Sequence, residues 1–118
     1  MINKLVLCGA SALLMLSSSA VAQEATGPSD AQIAHIAYTA GQLDLEAGKQ
    51  ALAKSSNEAV RSFAQTMVRD HAAVNEQALA LVKKLGVPPQ VNATSEALTK
   101  QAKETARELG KLRGSAFD

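Results

Sequence analysis

One histidine in this chain stands where an apolar residue belongs. His71 follows Asp70 directly, with Asn75 four residues on and Glu76 five residues on. An imidazole among carboxylates inside a helical protein is a donor set suited to iron, manganese or zinc. It also suits a proton-sensitive contact that changes charge near neutral pH. Asp44 belongs to the same group: measured back from Ser55-Ser56, it lies within about one helical turn of the level of His71. An interior Asp44–His71 hydrogen bond or ion pair is therefore expected. The candidate metal ligands are His71, Asp44, Asp70 and Glu76. The reading placed ahead of the metal site is structural, a histidine satisfied by a partner that fixes helix register.

Other chemistry is poorly represented. A di-iron carboxylate site uses Glu-x-x-His on one inward helix face, but Val68 precedes His71 by three and Gln32 precedes His35 by three. His35 is expected to be exposed. There is no Gly-x-Ser-x-Gly nucleophile motif and no glycine-rich phosphate loop, because Gly41 and Gly48 fall within a helical stretch. Met67 reads as core filler.

The elements that position these residues follow from periodicity and caps. Ser29 with Gln32 forms a capping-box pair, so a first helix is predicted from Asp30 to about Lys54. One of its stripes holds Ala34, Tyr38, Gly41, Leu45, Gly48 and Leu52, where a neighbouring helix can approach closely. A second holds Ile33, Ala37, Ala40, Asp44, Ala47 and Ala51, and two apolar stripes imply neighbours on more than one side. Ser55-Ser56-Asn57 makes a short connection, with Asn57 or Ser56 capping a second helix. Along it Val60, Ala64, Met67, His71, Val74, Ala78, Leu81 and Leu85 recur at alternating steps of four and three, a heptad-like seam. Gly86 and Pro88-Pro89 end it. A third helix starts among Asn92, Thr94 and Ser95 and runs to about Leu112, with a seam of Leu98, Ala102, Thr105, Leu109 and Leu112, and Gly114 closes it. No segment reads as a strand. The fold class is all-α, an up-down helical bundle of three helices.

Composition bounds the compartment and the partners. The 118 residues suffice for one small domain. Met1 to Lys4 is a basic start, Leu5 to Leu16 an apolar run, and Ala20-Val21-Ala22 a small-x-small cleavage site, so residues 1–22 are expected to be a signal peptide. An apolar run that short does not span a bilayer, which needs about 20 helical residues, and no transmembrane span is expected after cleavage. Residues 23–29 read as a flexible leader and 30–118 as the helical domain. Cys8 is the one cysteine and lies in the signal. The domain is thus expected to hold by packing alone, without disulfides. From Gln23 onward acidic and basic side chains balance, which argues against nucleic acid as partner. Aromatic residues there are only Tyr38, Phe63 and Phe117, too few for base-stacking platforms. Nineteen alanines from Gln23 onward favour helix and close approach but leave a thin core.

Several of these segments carry a resemblance. Asp44-Leu45-Glu46-Ala47-Gly48 with Ala51 is similar to the first helix of the bacterial "domain of unknown function 4142" family. The run Phe63-Ala64-Gln65-Thr66-Met67-Val68-Arg69-Asp70-His71, with Asn75, resembles that family's most recognisable motif. Leu85-Gly86-Val87 and the stretch from Leu109 to Asp118 continue the likeness, which covers about residues 29–118. The resemblance implies a ferritin-like helical bundle in an exported protein, periplasmic or associated with the outer membrane, and it implies no agreed activity. It also implies that relatives continue past Phe117-Asp118 into further helices, so this chain is expected to hold the front part of the domain.

The functional expectation is an exported envelope protein without enzymatic activity, with a structural, stress or interaction role. The alternative is a ferritin-like metal-binding protein or oxidase using His71 with nearby carboxylates. No cofactor is predicted under the first reading; iron, manganese or zinc follows from the second. The expected partners are a second copy, giving a homo-oligomer, or an envelope protein, in either case through exposed helix faces.

Overall fold

Each of the three α-helices among the described residues opens on a side-chain cap. The computed structural model describes residues 27–118, so the expected signal peptide and most of the leader lie outside the described residues. Helix α1 spans Asp30–Lys54, α2 Glu58–Lys84 and α3 Ala93–Lys111, followed by a single 3₁₀ turn at Gly114–Ala116. Ser29 Oγ accepts from the Gln32 amide at 3.3 Å, while Gln32 Oε1 accepts from the Ser29 amide at 2.9 Å. Asn57 Oδ1 accepts from the amides of Ala59 and Val60 and opens α2. Asn92 and Ser95 form the corresponding reciprocal pair at the start of α3. These bonds satisfy amide groups that a helix N-terminus otherwise leaves without partners.

The end of α2 is a Schellman motif. Gly86 takes φ of 67°, the Val87 amide donates to Val82 O, and the Gly86 amide donates to Lys83 O. The left-handed conformation at that position is why glycine stands there. At the end of α1 the free carbonyls are collected by a side chain. Arg61 Nη1 donates to Leu52 O at 2.6 Å and to Ser55 O at 3.0 Å, tying the first turn of α2 to the last of α1.

Helix α1 is the middle element. It packs along α2 on one side and α3 on another, and α2 and α3 have no extensive contact with each other. The chain runs up, down and up. The Gln90 amide bonds Ala31 O and Asn92 Nδ2 bonds Gln32 O at one end. Gln50 Nε2 bonds Ala106 O and Lys54 Nζ bonds Gly110 O at the other, so α3 lies parallel to α1. The result is an all-α, bundle-like fold.

The α1–α2 contact uses the expected glycine stripe. Gly41 and Gly48 are both buried. A Cβ on Gly48 would lie 2.9 Å from Val68 Cγ2 and 3.1 Å from Ala64 O, and one on Gly41 would lie 2.9 Å from Asn75 Cγ. The glycines, each of which costs about 1 kcal/mol of helix propensity, thus let the two backbones approach closely. The second α1 stripe behaves differently from expectation. Ile33, Ala37 and Ala47 on it are exposed. Helix α3 instead docks on the face bearing Gln32, His35, Gln50 and Lys54, largely through the side-chain-to-backbone bonds given above. Leu98, Ala102 and Leu109 of the expected α3 seam are half-buried beside these polar contacts, while Thr105 and Leu112 are exposed.

The heptad seam of α2 is divided. Ala64 is 2 % exposed and is the one buried apolar side chain among the described residues apart from glycine. His71 and Ala78 stay half-buried beside it. Val74, Leu81 and Leu85 face solvent, and Asn75 occupies the buried position that the seam assigned to Val74. The track facing α1 therefore runs from buried Ala64 through half-buried Met67, Val68 and His71 to buried Asn75, departing from the seam at Asn75 in place of Val74. The core is as thin as the alanine content implied.

The C-terminal residues are tied down as well. Phe117 lies over the Lys54 ammonium, 5.6 Å from ring centroid to Nζ, and Ser55 Oγ donates to Asp118 Oδ1. Phe117 thus lies against the end of α1. Gly114, expected only to close α3, takes φ of 54° and starts the turn that brings Phe117 back.

Candidate functional site

Helix α1 supplies Asp44 one turn beyond Gly41, and α2 supplies His71 one turn before Asn75. Because the glycines bring the helices close, these two side chains meet across the groove, with His71 Nδ1 3.7 Å from Asp44 Oδ2. The expected pairing is therefore present, at ion-pair distance and longer than a hydrogen bond. It is not interior: the His71 side chain is 30 % exposed and that of Asp44 49 %. At that exposure water screens the attraction, and the pair contributes little to stability.

Asp70 and Glu76 do not join it. Asp70 turns to its neighbour, accepting from Arg69 Nε at 2.7 Å. That hydrogen bond holds the Asp70 carboxyl below its usual range and raises the Arg69 guanidinium further above its own. Glu76 is exposed and lies about 140° round the helix from His71. Among the described residues no three His, Cys, Asp or Glu side chains converge as metal ligands. A zinc site takes three or four protein donors; the Asp44–His71 pair supplies two.

The residue that sequence reasoning passed over is Asn75. It is 5 % exposed, pressed against Gly41, and its Nδ2 has no hydrogen-bond partner. The available signal was its spacing of four from His71, which puts both on the α1-facing side once Gly41 is recognised as the space it fills. His35 is likewise less open than expected. It is half-buried, with Nδ1 3.3 Å from Thr39 Oγ1, and lines a groove of about 420 Å³ beside α3 with Ser95, Thr99, Lys100 and Lys103. A separate, apolar groove of about 460 Å³ lies at the end of α2 between Leu79, Val82, Val87 and Pro89.

The model of the family described as "Domain of unknown function (DUF4142)" matches residues 16–118. The chain belongs to this family. The resemblance seen in the Met67–His71 run is thus confirmed, and in this DUF4142 chain Met67, Val68 and His71 of the run face α1 while Arg69 and Asp70 are exposed. No curated protein and no solved structure matches the chain. No described helix is long and apolar enough to cross a membrane.

Proposed function

We propose that this DUF4142 protein is an exported, non-enzymatic protein of the bacterial envelope that works by presenting helix faces to a partner. The observation carrying this reading is the outer face of α2. There Phe63, Val74, Leu81 and Leu85 are 67, 59, 55 and 64 % exposed. Large apolar side chains held in a row on a capped helix form a patch of the kind that serves contact. Export rests on the basic start, apolar run and small-residue cleavage site of residues 1–22.

The test combines fractionation with crosslinking in cells expressing the whole chain. The expected result is a processed chain beginning at Gln23 in the periplasmic or envelope fraction. It should form a crosslinked adduct that Val74→Arg abolishes and His71→Ala preserves. Retention in the cytoplasm, or an adduct indifferent to Val74 and lost in His71→Ala, would overturn the reading.

A second reading, a ferritin-like metal-binding protein or oxidase, is supported by the Asp44–His71 pair, which offers two donors on facing helices. Elemental analysis of the exported protein tests it. Stoichiometric iron, manganese or zinc that disappears in His71→Ala supports it, and a metal-free protein with wild-type helicity removes it.

A further inference from the structure

The cover over α3 falls away along its length. Ser95 near its start is 1 % exposed, and Leu98, Thr99 and Ala102 are half-buried. Across residues 103–118 only Leu109 and Phe117 keep partial cover, and every other residue there is exposed. Ala64, the one buried apolar side chain among the described residues apart from glycine, belongs to the α1–α2 contact. Burial of apolar surface is the main adhesive between helices in water, and it scales with the area covered. The far half of α3 has little of it, and α2 adds no extensive contact.

Polar clips from the last turns of α1 fasten this half instead. Gln50 Nε2 donates to Ala106 O at 2.8 Å, and Lys54 Nζ donates to Gly110 O at 2.7 Å. The Lys54 ammonium also lies over the Phe117 ring, and Ser55 Oγ donates to Asp118 Oδ1. Lys54 therefore makes two of the four contacts. Such bonds replace bonds to water, so each one adds little net hold. The start of α3 is secured separately, by Gln90 and Asn92 on the carbonyls of Ala31 and Gln32 beside buried Ser95.

We infer that residues 103–118 form a strap that opens from α1 as one unit while the start of α3 stays docked, with Lys54 as its fastening. Closed, the strap engages the Lys54 ammonium and the Ser55 hydroxyl at the end of α1; open, it releases both. A helix end that short does not keep its own hydrogen bonds in water once undocked, so opening and local melting coincide. Such an opening goes beyond the contact role proposed above and does not depend on it.

Native-state hydrogen exchange followed by NMR on the whole chain tests it. The amides of Leu109, Gly110 and Lys111 should be protected about tenfold less, or weaker still, than the α2 amides from Met67 to Asn75. Lys54→Met should speed those three amides about tenfold more and leave the α2 amides unmoved. A second variant locks the strap shut. A Cβ on Gly110 would meet only the Gln50 amide nitrogen, at 3.9 Å. Gln50→Cys and Gly110→Cys, in a Cys8→Ser background, can therefore be joined by a short bismaleimide. Once joined, the far half of α3 should approach the protection of α2. Exchange of all three helices at one common rate overturns the inference, as does Lys54→Met speeding α2 and α3 alike. Amides of the far half that stay fast after crosslinking overturn it too, because the melting is then fraying within a docked helix.

Discussion

Gly41 and Asn75 occupy one space between them: the Asn75 amide fills the volume that a side chain at residue 41 would need, with its Cγ 2.9 Å from where that Cβ would sit. The close approach of α1 and α2, and with it the meeting of Asp44 and His71, depends on this arrangement.

Gly41→Ala should therefore destabilise the protein despite a gain of about 1 kcal/mol in helix propensity. Overpacking a tight contact costs about 1–3 kcal/mol, so the expected net loss is up to about 2 kcal/mol. Combined with Asn75→Ala it should lose much less than the sum of the single changes, because residues in direct contact are not additive. Urea unfolding followed by circular dichroism gives all three values, and a Gly41→Ala protein as stable as wild type would refute the packing argument.

Gly48→Ala is expected to be the worse substitution. Its Cβ would meet the Ala64 carbonyl at 3.1 Å as well as Val68 at 2.9 Å, and a backbone atom cannot rotate aside as the Asn75 amide can. The melting temperature of Gly48→Ala should fall below that of Gly41→Ala; the reverse order would mean that the helices slide apart freely at this level.

The Asp44–His71 pair should show a coupling energy below about 1 kcal/mol in a double-mutant cycle, as expected for a half-exposed ion pair. A contact this open to solvent is screened by salt, so coupling measured at low salt should exceed that at about 1 M salt. Coupling that is unchanged between the two would show that the contact is not electrostatic.

Asp70 should titrate below an ordinary aspartate, with Arg69→Ala returning it upward, as read by carboxyl carbon shifts in NMR. A lowered carboxyl contributes stability that is present above the unfolded-state value and is lost as pH falls through the folded value. Here that contribution is small, since both side chains are exposed to solvent. An Asp70 midpoint unmoved by Arg69→Ala would refute the contact.

Phe117→Ala should cost about 0.5–1 kcal/mol, the scale of an exposed cation–π contact, by uncovering Lys54 and freeing Asp118 from Ser55. Hydrogen exchange at the Ser55 and Ser56 amides should rise with it; unchanged exchange would show that the C-terminal turn does not hold the α1–α2 connection.

The sequence by itself determined the three helices, their limits to within a residue or two, and the order up, down, up. It did so because the deciding interactions are local: Ser29 with Gln32, Asn57 with the amides that follow it, Asn92 with Ser95, and Gly86 at its left-handed turn all act within six residues. It also placed Asp44 level with His71, since a short turn and a fixed rise per residue leave little freedom there. Tertiary structure decided which arc of each helix is covered. The apolar arc of α2 is wide enough to hold two overlapping stripes, and periodicity ranks them equally. The choice fell to Gly41 and Gly48 on the other helix, which admit Asn75 and Val68 and turn Val74 outward. The face on which α3 docks was hidden for a similar reason. Gln50, Lys54 and Asn92 reach backbone carbonyls more than fifty residues away in sequence, and such bonds leave no periodic mark on the chain.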